Sequence, residues 1–103
     1  MGTFYDPVAQ VPTSLSGSTA SFTASVSQVT LAAANQRRKG VTFYNDRSSS
    51  ATWYLTLGTT ASSTQYTVEL RPTDYYEVPY GYLGQVTGVA TSTTGSLRVT
   101  EVT

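Results

Sequence analysis

The sequence predicts an all-β fold: a compact antiparallel β-sandwich or barrel of about seven or eight short strands, with an extended N-terminal arm. The first indication is composition, since the 103 residues include 19 Thr, 13 Ser and eight Tyr. β-Branched and aromatic residues suit a pleated, half-buried surface, whereas a helical chain is richer in Ala, Leu, Lys and Glu. The second is spacing, because short alternating segments recur every 8–12 residues or so with turn formers between them. No ten-residue stretch has apolar residues at the spacing of an amphipathic helix. The nearest candidate, LAAANQRRK, is too short and lacks a capping residue.

Residues 1–20 are predicted to form the arm, and residues 21–103 the β-domain. The arm contains two prolines, which favour extended backbone and cannot donate to a sheet. One interpretation is a frayed terminus. The other is a segment that docks apolar side chains on a partner, because a merely floppy tail would rarely carry so many. The residues assigned to that partner contact are Phe4, Tyr5, Pro7, Val8, Val11 and Pro12.

The strands are expected in order along the rest of the chain. The first covers residues 21–30, where the alternation shifts between Val26 and Val29 and indicates a bulge or short turn. The others are expected at residues 41–45, 52–57, 65–70, 75–78, 85–90 and 96–102, with the last two pairing around the loop TSTTG. Alternation directs three sets of side chains inward: Trp53, Leu55 and Leu57; Tyr66, Val68 and Leu70; Leu97, Val99 and Glu101.

Charge and composition exclude several classes of partner. Six basic and six acidic residues give zero net charge and a pI near 6.1, without the basic excess typical of nucleic-acid binders. No apolar run approaches the roughly 20 residues of a membrane helix, and the N-terminus does not resemble a secretory signal. We therefore expect a soluble protein made in a cytoplasm, with no nucleic-acid or membrane partner. A weakly charged surface provides little electrostatic repulsion between molecules, so we expect the protein to associate with copies of itself.

Catalytic chemistry is not expected. The chain has neither His nor Cys, which removes the common general base, the thiol nucleophile and the usual transition-metal ligands. Asp74 and Glu77 are the nearest carboxylate pair for glycoside hydrolysis, but the simpler interpretation is a turn cap and an exposed strand residue. Asp46 with Asn45 is a weak start for a calcium site. We predict no enzyme, no cofactor and no metal.

Two clusters are candidate contact surfaces. The only charge run is Arg37, Arg38 and Lys39, read either as a solvated turn or as an intersubunit contact with acidic residues such as Glu69, Glu77 or Glu101. The second cluster is tyrosine-rich. Neighbouring strand residues point to opposite faces, so one of its first two rings must face away from the core and suits an interface or a shallow sugar platform. Its members are Tyr75, Tyr76, Tyr80 and Tyr82.

Residues 28–103 carry a pattern that resembles small accessory virion proteins of tailed bacteriophages. It runs from N-x-x-R-K-G through an aromatic strand, L-x-L-G, Y-T-V and Y-Y-E-V-P to G-x-V-T-G and R-V-T-E, and the arm lies outside it. The residues that carry it are Asn35, Arg38, Lys39, Gly40, Asn45, Leu55, Leu57, Gly58, Tyr66, Val68, Tyr75, Tyr76, Glu77, Val78, Pro79, Gly84, Val86, Gly88, Gly95, Arg98, Val99 and Glu101.

The resemblance implies a capsid decoration (cement) protein, or a module of a head or tail fibre. Decoration proteins of this kind bind the outside of the shell, often as trimers, and engage it through an N-terminal extension. The short chain favours decoration, because a fibre module usually adjoins a shaft. The expected function is therefore stabilisation of a capsid, with the major capsid protein as partner, a homotrimer as assembly and the outer virion surface as location. The alternative is a carbohydrate- or host-surface-binding module that stacks glycans on Trp53 or the tyrosines.

Overall fold

The computed structural model describes residues 16–103, which form eight antiparallel strands and no helix. They are β1 (Gly17–Thr23), β2 (Val29–Ala32), β3 (Gly40–Asn45), β4 (Trp53–Leu57), β5 (Val68–Leu70), β6 (Tyr75–Glu77), β7 (Val86–Ala90) and β8 (Ser96–Val102). The all-β prediction is confirmed. The predicted boundary of the arm at residue 20 is not, since β1 begins at Gly17. No segment of the described chain is a helix of the length and hydropathy needed to cross a bilayer.

The strands form two four-stranded sheets. The first, sheet A, has the order β1-β8-β3-β6, and the second, sheet B, has the order β2-β7-β4-β5. The prediction that the last two strands pair with each other is wrong, because β7 lies in sheet B and β8 in sheet A. Residues 91–95 cross from one sheet to the other instead. Such crossings between two packed layers are what makes the fold a sandwich rather than a meander.

The predicted single strand over residues 21–30 is two strands in different sheets, so of the two alternatives for the shift between Val26 and Val29 the turn is correct and the bulge is wrong. The turn between β1 and β2 is hydrogen-bonded to both sheets. The Ala24 amide donates to Gly95 O at 2.9 Å, next to β8, and Ser25 O accepts from the Ala90 amide of β7 at 2.7 Å. The Ser25 hydroxyl closes the turn by accepting from the Ser27 amide at 3.1 Å. A local hydroxyl-to-backbone bond of this kind competes with continuation of a strand.

The core lies between the sheets and follows the alternation of the strands. Its largest fully buried side chains are Trp53, Phe43, Leu55, Leu70 and Leu97. The predicted inward set is confirmed for β4 and β8. Tyr66 is an exception, because it precedes β5 and lies outside sheet B, 43% exposed.

Candidate functional site

The first candidate surface is the free edge of β1. This strand pairs with β8 along its whole length, from Gly17 opposite Val102 to Thr23 opposite Ser96, and has no second neighbour in the described chain. Its side chains are exposed at every position except Phe22, which is half-buried against the core. The strand is therefore held mainly by its ladder to β8.

Hydrogen bonds at both ends of that ladder show which backbone groups face outward. The Thr103 amide donates to Ser16 O at 3.0 Å, and the Ala24 amide donates to Gly95 O at 2.9 Å. The even-numbered residues of β1 therefore direct their backbone N–H and C=O groups toward β8. Odd-numbered residues then direct theirs to the open edge, since the pattern alternates along an antiparallel ladder. The four odd positions are Gly17, Thr19, Ser21 and Thr23.

The arm residues to which a partner contact was assigned, Phe4 to Pro12, lie outside the described residues. What the structure fixes is the point at which that segment joins the fold. Ser16 continues the β1–β8 pairing by one residue opposite the C-terminal Thr103. The N-terminal segment therefore enters the domain at a corner of sheet A, directly into an edge strand.

The charge run at residues 37–39 does not form one surface. Arg38 is 5% exposed, and its guanidinium donates to Glu101 Oε2 at 2.7 Å, Ala33 O at 2.7 Å and Gly84 O at 2.8 Å. The surface contact expected of Arg38 does not hold, because its donors are occupied inside the molecule. Glu101, one of the acidic residues named as possible intersubunit partners, contacts Arg38 within the same chain. Arg37 and Lys39 are exposed, and a role for them in contacts stays a prediction.

The tyrosine cluster divides between core and surface. Tyr76 packs against the core, and its burial raises the pKa of its hydroxyl above the usual 10.0. The Tyr82 hydroxyl donates to Gln85 O at 2.6 Å. The ring packs so closely on Gly84 that a Cβ atom added to Gly84 would lie 2.7 Å from the Tyr82 hydroxyl oxygen. Tyr75 and Tyr80 are 61% and 76% exposed. Only these last two rings remain available to a partner.

Tyr80 borders a groove of about 370 Å³ with Lys39, Glu77 and Pro79. The groove thus combines an exposed ring with one basic and one acidic side chain. By contrast, Trp53 is fully buried, so it cannot be the stacking platform that the sequence suggested.

The carboxylate candidates have structural roles. Asp74 closes the turn after β5, where its Oδ2 accepts from the Arg71 amide at 2.9 Å. Asp46 accepts from the Ser48 hydroxyl at 2.7 Å, and that bond, assisted by Arg98 at 3.6 Å, lowers the pKa of its carboxyl below 3.8. Asn45, its proposed calcium co-ligand, is buried and donates to Ala51 O and Leu70 O. No group of three or more acidic side chains within residues 16–103 is placed to hold a metal ion.

Sequence reasoning missed a second aromatic pair, on the outer face of sheet B. The rings of Tyr54 and Tyr66 lie 4.8 Å apart at 51°. Tyr54 also lines a groove of about 520 Å³ with Val26, Ala61 and Val89. The outward orientation of Tyr54 could be predicted, because Tyr54 alternates with the buried Trp53 and Leu55. The position of Tyr66 beside it could not, because the loop that carries Tyr66 has no periodic pattern.

Comparison of the chain with protein-family models, with curated proteins and with solved structures finds no match. The structure itself establishes the class: a small all-β protein of two packed antiparallel sheets. Among residues 16–103, candidate contact surfaces include the β1 edge, the exposed Tyr75, the Tyr80 groove and the Tyr54–Tyr66 pair.

Proposed function

We propose that this chain is a non-enzymatic structural protein of a phage virion that binds the outer surface of the capsid and stabilises it. The resemblance over residues 28–103 supports this function. The structural observation that carries it is the junction at Gly17, where the apolar N-terminal segment enters an exposed edge strand. A segment attached there can extend away from the domain without disturbing the core.

The proposed mechanism is linkage between binding and shell stability. A protein that binds only the assembled capsid stabilises it by mass action, and an oligomer that spans neighbouring subunits adds the gain of multivalent attachment. The major capsid protein is the proposed partner. Side chains of Phe4, Tyr5, Val8 and Val11 would bury apolar surface on it, while extended backbone could pair with a sheet edge of the shell.

The test is removal of residues 1–15 and measurement of co-sedimentation with purified capsids. All eight strands lie within residues 16–103, so the shortened chain should keep its β-type circular dichroism and its melting temperature. We expect it to lose capsid binding. A matched variant with four serines at positions 4, 5, 8 and 11 keeps the length and should bind as weakly as the deletion. Capsid binding by the deletion at wild-type affinity would refute the proposal.

A second function, glycan binding, is favoured by the groove beside Tyr80. An exposed ring flanked by Lys39 and Glu77 offers a stacking surface with hydrogen-bonding groups at its border. Titration of the chain with bacterial surface polysaccharides, followed by tyrosine fluorescence, tests it. Tyr80→Ala should abolish any response, whereas Tyr66→Ala, which removes an exposed ring elsewhere, should not. Equal responses from both variants would reject the Tyr80 groove as the site.

A further inference from the structure

The two sheets have four edge strands, and three of them carry features that oppose pairing. β6 has only three residues, including the exposed Glu77, and β5 has three, including Glu69. β2 has four residues and an irregular register between Thr30 and Ala32. Short length, charge and bulges are the devices by which proteins prevent edge-to-edge association.

β1 has none of these devices. It is seven residues long, GSTASFT, with an unbroken register and no charged residue or proline. Four N–H and four C=O groups on its free edge, from Gly17, Thr19, Ser21 and Thr23, have no partner among residues 16–103. An edge of this length and neutrality is a ready template for another strand.

We propose that β1 pairs with β1 of a second copy in an antiparallel, twofold-symmetric dimer. The edge is self-complementary in one register, with the twofold axis at Ala20. Gly17 then lies opposite Thr23 of the second copy, and Thr19 opposite Ser21, so that every outward N–H and C=O of both strands is paired. A register shifted by two residues leaves the last such pair unmade. The product is a continuous eight-stranded sheet.

The side chains on the core side of β1 also fit this pairing. Ser18, Ala20 and Phe22 face the same side as Leu97 and Val99, yet Ser18 and Ala20 are exposed. In the Ala20-centred register, Ala20 faces its own copy in a close, non-hydrogen-bonded pair, with Cα atoms about 4.5 Å apart. Alanine permits that approach. Phe22 then lies diagonally beside Ala20 of the second copy, where the two side chains make an apolar contact between the copies.

This dimer differs from the trimer that the resemblance implies, and it does not depend on capsid binding. The antiparallel arrangement separates the two Gly17 residues by about six residues of strand, or roughly 20 Å. Two N-terminal segments would thus leave one sheet in opposite directions. Because the contact is one strand from each copy, we expect a reversible dimer with a concentration-dependent mass.

The test uses single cysteines in the full chain, which has none of its own. Ala20→Cys should form a disulfide-linked dimer under mild oxidation, because the expected Cα separation lies in the disulfide range. Ser18→Cys, on the same face of the same strand, should not, since its two copies would lie about 14 Å apart along the strands. Cross-linking of Ser18→Cys as readily as Ala20→Cys would overturn the register.

A charge variant provides the solution measurement. Ala20→Lys places two ammonium groups opposite each other and should raise the dissociation constant on the order of tenfold in analytical ultracentrifugation. Ala34→Lys, at an exposed alanine outside β1, is the control and should dissociate like the wild type. A wild-type chain that is monomeric up to about 1 mM, or one that is trimeric, would overturn the proposal. So would a monomer whose β1 edge captures only an extended strand of the capsid protein.

Discussion

Replacing Arg38 tests the contribution of a buried guanidinium that binds three separate segments of this domain. Its side chain is 1% exposed and joins three parts of the chain: the segment before β3 through Ala33 O, the loop before β7 through Gly84 O, and β8 through Glu101. Arg38→Ala would leave Glu101, 26% exposed, without its cation and would leave both carbonyls short of a donor. Removing one member of a buried ion pair costs about 3–5 kcal/mol.

The expected cost lies at the low end of that range. Glu101 retains some contact with water, and water can enter the space left by the shortened side chain, so the individual contributions do not add. We expect the free energy of unfolding to fall by about 3 kcal/mol, which in a domain of this size lowers the melting temperature by about 15 °C. Urea unfolding followed by fluorescence of the single, fully buried Trp53 measures the change directly.

Two further variants separate charge from geometry. Glu101→Gln keeps the carbonyl contacts of Arg38 and should cost about 1–2 kcal/mol, less than Arg38→Ala, because only the charge-assisted bond is weakened. Arg37→Ala, at the exposed neighbour, should change stability by less than about 0.5 kcal/mol. A free energy of unfolding for Arg38→Ala within about 1 kcal/mol of the wild-type value would show that the guanidinium does not link these three segments.

Two other predictions concern packing and pH. Gly88→Ala would bring its methyl group to 2.8 Å from Leu55 Cδ2, and this crowding should destabilise the domain by about 1–3 kcal/mol in the same urea assay; wild-type stability would contradict it. The Asp46 carboxyl, whose folded pKa lies below 3.8 chiefly through the Ser48 bond, should contribute stability above pH 3.8 that is lost as pH falls through the folded value. Asp46→Asn should remove that part of the acid dependence of the melting temperature, and Ser48→Ala should reduce it. If the melting temperature of both variants falls with acid as in the wild type, Asp46 is not the group responsible.

The sequence predicted most of the strands but not their partners. Alternation located β3, β4, β7 and β8 to within one residue at each end, since a half-buried strand exposes every second side chain. It did not show that β7 and β8 belong to different sheets, because a short loop looks alike whether it closes a hairpin or crosses a sandwich. Tertiary hydrogen bonds such as Ala24 to Gly95 decide between the two, and they have no local pattern.

The site predictions that depend on local strand geometry are correct, and those that depend on tertiary contacts are not. The opposite orientations of Tyr75 and Tyr76 follow from strand geometry alone, and the structure confirms them. Arg38 was assigned to the surface because charged residues in turns are usually solvated. Its burial depends on carbonyls 5 and 46 residues away in sequence, which only the folded loop brings together.

β1 lies at a sheet edge but lacks the sequence features that usually protect an edge strand, and this combination favours a role in assembly. Seven uncharged residues with small side chains at most positions bury little apolar surface, so β1 is held in the monomer mainly by its ladder to β8. The other three edges of the sandwich are short, charged or irregular, as expected of edge strands that do not pair with another chain. β1 is the edge at which the N-terminal segment also enters the fold. Pairing at β1 and attachment through residues 1–15 would therefore act at the same corner, so that association of two copies fixes how their N-terminal segments are presented to a larger surface.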